Sequence, residues 1–273
     1  MKTMGEEKIS SYLIELIKKA IKKRIPKHKF GLLFSGGLDS SIIAAILKKN
    51  KCDFTSYVVE ITNPNFKASD DVFFAKKLAR DLNLTLKIIQ IKEEEIESNL
   101  KKILNLLKDD HVVKASIAIP LYFCFKKLEE DGCKSVFYGG GCDAIFAGFE
   151  RHRKAKNINK ECLSCIKECN QKIESREKIL ARNNKLKLIT PFLDKEIIDF
   201  SLKIPGKYKI KEGIEKHILR KAASKLGLPD YITKRKKRAI QYSSNCQKAL
   251  KKLAKKKGFK KIKDYFKTQI NKF

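Results

Sequence analysis

The stretch Ser35-Gly36-Gly37-Leu38-Asp39-Ser40-Ser41 lies between an apolar run, Phe30 to Phe34, and a helix-like run, Ser41 to Leu47. A strand that delivers the chain into a glycine-rich turn opening a helix is where an α/β sheet holds phosphate. Adjacent glycines let the backbone approach an anion closely, and the serines and first free N–H groups of the helix point donors at it. Asp39 adds a carboxylate where a phosphate-bound Mg²⁺ would lie. The loop lacks the Gly-Lys-Ser/Thr ending of a Walker A loop, so γ-phosphate transfer of that kind is not supported.

The elements around this loop set the class. Ile9, Leu13, Leu16, Ile17, Ala20 and Ile21 recur at helical spacing and predict an amphipathic helix that ends near Pro26 and packs on the sheet. Strands are predicted at Phe54 to Ile61, Leu84 to Ile91 and Ser135 to Tyr138, and helices at Asp70 to Leu82, Glu93 to Leu107 and Ile117 to Glu129. Alternation of this kind implies an α/β fold with a doubly wound parallel sheet, whose ligands gather at the carboxyl ends of the strands. Strand signals fade after Phe149. Residues 1–150 therefore read as the phosphate-binding α/β unit, with 1–26 as its leading helix, and 151–273 as a mostly helical region ending in a basic tail, 248–273.

Charge narrows the partners. Lys and Arg number 62 against 31 Asp and Glu, a net charge of +31. Heat-adapted proteins are often lysine-rich, but glutamate then usually rises in step, which it has not here. Such an excess favours a polyanion, RNA and tRNA above all, through phosphate attraction and counterion release; a solvated lysine-rich surface is the equal alternative. No apolar run is long enough to span a bilayer and the N-terminus lacks a signal-peptide stretch, so a cytoplasmic protein without membrane contact is expected.

A second loop, Gly139-Gly140-Gly141-Cys142-Asp143-Ala144, again follows an apolar strand. The Ser35 loop resembles the SGGxDS loop of PP-loop ATP pyrophosphatases. With Gly139 to Phe149, Pro191-Phe192-Leu193-Asp194, Lys216-His217-Ile218-Leu219-Arg220 and Arg235-Lys236-Lys237-Arg238, the chain resembles the synthetase domain of asparagine synthetases and β-lactam synthetases. The likeness runs from about Phe30 to Tyr242, with a poorly matched stretch between Arg151 and Leu188. It implies an enzyme that uses ATP and Mg²⁺ to adenylate a carboxylate or carbonyl, releasing pyrophosphate. It implies that Ser35, Gly36, Gly37, Ser40 and Ser41 grip pyrophosphate, that Asp39 and Asp143 associate with Mg²⁺, and that Lys237 neutralises charge on the reacting groups. Val58, Val59 and Gly139 match positions near the adenine nucleotide.

The departures matter as much. No cysteine follows Met1 and no glutaminase-like segment precedes the loop, so free ammonia, another amine or an ammonia-donating partner protein is the expected nitrogen source. Gly140 and Ala144 stand where asparagine-forming members carry acidic residues, and deprotonating an amine requires a positioned acceptor. Into the poorly matched stretch falls Cys162-Leu163-Ser164-Cys165-Ile166-Lys167-Glu168-Cys169. If the backbone bends there, Cys162, Cys165 and Cys169 have spacing that suits Zn²⁺ or a 4Fe-4S cluster, with Cys142, Cys133, Cys124 or His152 as fourth ligand; a straight helix would put the outer two roughly 10 Å apart. Inert helix cysteines are the alternative.

The tail carries Lys251, Lys252, Lys255, Lys256, Lys257, Lys260, Lys261, Lys263 and Lys267 among Leu253, Phe259, Ile262, Tyr265 and Phe266, the pattern of a helix docked on one face and offering phosphates the other. His28, His111 and His217 read as structural or surface residues. Nitrogen ligation is the leading reading. Metal-assisted sulfur transfer to a tRNA nucleobase, with a sulfur-donating partner, is the alternative, and a degenerate RNA-binding module the third.

Overall fold

The computed structural model describes residues 4–236 and 239–270. Five strands, β1 (Phe30–Leu33), β2 (Thr55–Ile61), β3 (Thr85–Ile91), β4 (Ser135–Phe137) and β5 (Lys187–Ile189), form one parallel sheet in the order β3-β2-β1-β4-β5. Period-two alternation sends β1 to both faces. Phe30, Leu32 and Phe34 enter one buried cluster together with Val58 and Phe137, while Leu33 enters another with Tyr57, Val59, Ile61 and Val136. A sheet buried on both faces requires helices on both, which is the doubly wound arrangement expected.

The helices are α1 (Glu6–Lys22), α2 (Leu38–Lys49), α3 (Asp70–Asp81), α4 (Glu93–Leu107), α5 (Val112–Glu130), α6 (Ile158–Lys172), α7 (Lys178–Asn183), α8 (Lys195–Lys203), α9 (His217–Lys225), α10 (Cys246–Lys256) and α11 (Ile262–Gln269), with short turns of helix between some of them. The predicted apolar stripe of α1 is buried as expected, with Glu6 and Glu7 in its first turn and Lys19 and Lys22 in its last, favourable at the two ends of the helix dipole. It packs on α9, α8 and α2 rather than on the sheet, one layer further out than its sequence suggested.

The second half of the chain contributes to the sheet and to both faces of the core. β5 hydrogen-bonds to β4 and completes the sheet, and both buried clusters draw on residues from each side of position 150. The basic tail is two helices. Gly258, at φ 81°, ends the first as a left-handed stop after α10. Cys246, Ala249, Leu250, Leu253, Ala254, Ile262, Tyr265 and Phe266 are buried, packing with α4 and α5. The lysines line the outer face, where Lys252 meets Glu93 at 3.4 Å and Lys257 meets Glu97. Among the described residues no helix is long and apolar enough to cross a membrane.

Candidate active site

The chain runs outward from β1 to β2 and β3, then returns to β4 on the opposite side of β1. The order therefore reverses between β1 and β4, and a crevice opens at their carboxyl ends. Both glycine-rich loops enter it. They touch: a Cβ on Gly139 would lie 3.1 Å from Cβ of Asp39.

Gly36 adopts φ 61° and its Cα presses on α3, since a Cβ there would sit 2.5 Å from the backbone nitrogen of Ala75. Only glycine fits this turn. Gly37 then caps α2 in an extended conformation, so the first-turn N–H groups face the crevice. Its own N–H donates to Ser35 Oγ at 3.3 Å, and Ser40 Oγ donates back to the Gly37 carbonyl at 3.2 Å, which shapes the loop before any anion arrives. Val58, Val59, Ile240 and Gln241 line a cavity of about 850 Å³ whose walls also include Asp39, Gly139, Asp143 and Glu177.

Asp39 and Asp143 converge on one cation. Lys216 Nζ donates to Asp39 Oδ1 at 2.8 Å and Oδ2 at 2.6 Å, and lies 2.7 Å from Asp143 Oδ1. Burial opposes the charge on Lys216, but Asp143 and Asp39 outweigh it and raise its pKa above the ordinary lysine value. The residue holds a left-handed backbone, φ 55° and ψ 29°, at the start of α9. Two hard carboxylates converging beside a phosphate loop also form a donor set suited to Mg²⁺.

Arg235 ties the C-terminal region to the loop. Its Nη1 donates to the Ser35 carbonyl at 2.9 Å, its Nη2 to Asp71 Oδ1 at 2.8 Å, and its guanidinium lies 4.1 Å from the ring centre of Phe74. Burial pushes the Asp71 carboxyl upward, partly offset by the Ser243 hydroxyl, which donates at 2.5 Å, and by Arg235. Asp71→Ala would strand a buried guanidinium charge and should cost about 3–5 kcal/mol, measurable by denaturant unfolding. An unchanged midpoint would mean that Arg235 finds other partners. Lys237, carried in the same segment, lies outside the described residues.

The lining of the same cavity includes a carboxylate, Glu177, that the sequence did not point to. The backbone makes a turn of π-helix, Ile173–Glu177, between α6 and α7. This departure from α geometry recurs at functional sites. Glu177 is 1% exposed. The Tyr138 hydroxyl donates to its Oε1 at 3.3 Å and Arg176 Nη2 donates at 2.6 Å, while Oε2 has no protein partner among the described residues. Burial, and then the charge of Glu177, raise the Tyr138 pKa well above that of a free phenol, so the hydroxyl stays a donor. The Tyr138 ring also fills the space beside Gly140, where any side chain would clash with it. With the ring in this position, an acidic side chain at 140 has no room.

The three clustered cysteines lie on the helix before this turn. α6 runs unbroken through Cys162, Cys165 and Cys169, without the bend that ligation would need, and no group of three or more His, Cys, Asp or Glu among the described residues is placed to hold a metal ion. Burial pushes the thiols of Cys165 and Cys169 up to about 11. Cys142 is wholly buried under the site. Lys216 and Arg235 fell within quoted motifs but carried no assigned role, because their partners are distant in sequence. Tyr138 and Glu177 carried no sequence signal.

Comparison with known proteins places the chain. The family model described as asparagine synthase matches residues 13–176 and 167–270. A protein from Methanocaldococcus jannaschii, named as a glutamine-hydrolyzing asparagine synthetase 1, is 33% identical over 300 residues, covering 96% of this chain and 54% of its own length. The human protein named asparagine synthetase (glutamine-hydrolyzing) is 28% identical over 221 residues, covering 78% of this chain and 39% of its own. The chain thus spans about half or less of these relatives. Among solved structures, an NH3-dependent NAD synthetase from Campylobacter jejuni has a TM-score of 0.42 at 14% identity, covering 98% of this chain and 93% of that one. The U34-tRNA thiolase NcsA from Methanococcus maripaludis, with its 4Fe-4S cluster, has a TM-score of 0.42 at 15% identity, covering 89% and 80%. By its sequence match along almost the whole chain, this protein belongs to the asparagine synthase family.

Proposed function

We propose that the chain is an ATP pyrophosphatase that adenylates a carboxylate or carbonyl oxygen, releasing pyrophosphate, and then transfers the activated group to a nitrogen nucleophile, releasing AMP. The observation that carries this reading is the meeting of the Ser35 loop with Asp39, Asp143 and Lys216 at the reversal point of the sheet. Loop N–H groups and serines bind the pyrophosphate portion, and the crevice wall at Val58 and Val59 takes the adenine end. Asp39 and Asp143 would hold Mg²⁺, which when bound supplies positive charge to the departing pyrophosphate. Lys216 adds positive charge on the same side, and Lys237 is assigned the same task by its motif alone.

Nitrogen transfer also requires removal of a proton. Glu177 takes that role: Tyr138 and Arg176 fix Oε1, leaving Oε2 to accept the proton. Chromatography of the products formed with ATP and candidate carboxylate acceptors tests the reading. AMP and pyrophosphate in equal amounts are expected, and ADP with phosphate as main products would refute it.

RNA is the proposed macromolecular partner, through the outer face of α10 and α11. Truncation would strip a buried face, so the test is replacement of exposed Lys251, Lys255, Lys256, Lys263 and Lys267 by glutamine. The salt dependence of tRNA binding should become shallower by roughly 0.7–0.9 in log-log slope for each phosphate that is no longer neutralised. An unchanged slope would remove these helices from the interface.

A further inference from the structure

We propose that Lys216 holds the Asp39–Asp143 pair until nucleotide arrives, so that the divalent cation enters the site only together with the triphosphate. The inference rests on the reading of the site as an ATP site, but not on which reaction follows.

The geometry makes lysine and metal rivals. Lys216 Nζ engages both oxygens of Asp39, at 2.8 and 2.6 Å, and Oδ1 of Asp143 at 2.7 Å. A Mg²⁺ ion bound by the same carboxylates would sit at roughly 2.0–2.1 Å from their oxygens. Each engaged oxygen keeps a second lone pair, so the rivalry is one of charge: an ion that close to the oxygens would also lie close to the ammonium, and the two like charges repel. The lysine side chain is 5% exposed against 22% for Asp39 and 24% for Asp143, so the carboxylates see the cleft more than the ammonium does.

The lysine is also confined. A Cβ on Gly148 would lie 2.5 Å from Lys216 Cε, so glycine there allows the stem to pass, and the residue keeps a left-handed backbone uncommon for anything but glycine. An ammonium in this position gives up its carboxylate partners only if another anion replaces them. The triphosphate in the adjoining cleft is that anion. It brings oxygens for Lys216 and its own metal for the freed carboxylates, so one displacement serves both. Metal alone offers the lysine nothing in return.

Mn²⁺ titration of the full chain followed by electron paramagnetic resonance tests the inference. Without nucleotide, wild type should bind Mn²⁺ no more tightly than roughly 1 mM, the weak end of carboxylate sites, and should become saturable with a non-hydrolysable ATP analogue. Lys216→Met, and Lys216→Gln as a second variant, should bind Mn²⁺ without nucleotide at least about 10-fold more tightly than wild type. Adding Asp39→Asn to either variant should abolish that gain. Tight saturable binding by nucleotide-free wild type would overturn the proposal even if neither variant folds. Equal affinity in wild type and the variants would also overturn it. Formation of ADP instead of AMP would defeat the proposed reaction while leaving this titration as decisive as before.

Discussion

Asp39→Asn should lower formation of AMP and pyrophosphate by about 10²–10³-fold, the loss typical when one preorganised electrostatic group is removed. Asp39 meets Lys216 with both oxygens and lies in the first turn of α2, directly behind the phosphate loop. Asparagine keeps the shape and one acceptor, so a thermal melt should show a folded protein while turnover collapses. A rate near wild type would mean that the loop binds its anion without help from this carboxylate. Lys237→Ala should give a loss of similar size if the segment after Arg235 delivers its lysine to the same phosphates, and a normal rate there would detach that segment from the chemistry.

Glu177→Gln should separate the two halves of the reaction. Adenylation, read as isotopic exchange between pyrophosphate and ATP, should persist, while formation of the nitrogen-linked product falls by roughly 10²–10⁴-fold, the usual contribution of a positioned base. The amide preserves the size of the side chain and can still accept from Tyr138, so a collapse of the fold is not expected. Equal loss of exchange and product would assign Glu177 to the architecture of the site instead. Tyr138→Phe should produce a weaker version of the same split, because Arg176 still holds Oε1.

The parts of this molecule that announce themselves in sequence are those built from neighbours. The Ser35 loop, the strand before it and the helix after it are contiguous, and α4 spans Glu93–Leu107 as its periodicity predicts. β5 escaped notice because three residues at a sheet edge carry too little alternation to register. The Asp39–Lys216 contact joins residues 177 positions apart, and the Arg235–Asp71 contact joins residues 164 apart, so no local pattern could encode either. The cysteines are the opposite case. Their spacing is a real local pattern, but burial on an unbroken helix gives it another use, with Cys162 and Cys165 filling space in the core.

The packing of Tyr138 against Gly140 links two positions as mutational steps. A chain carrying an acid at position 140 could not acquire a tyrosine at position 138 in this rotamer, and this chain cannot regain an acid at 140 while the ring remains. Gly140→Glu alone should therefore be harmful, and the same change should be tolerated once Tyr138 has become small. The two changes are therefore ordered: position 138 must become small before position 140 can carry a side chain, so a chain between the two states has neither the ring nor the acid.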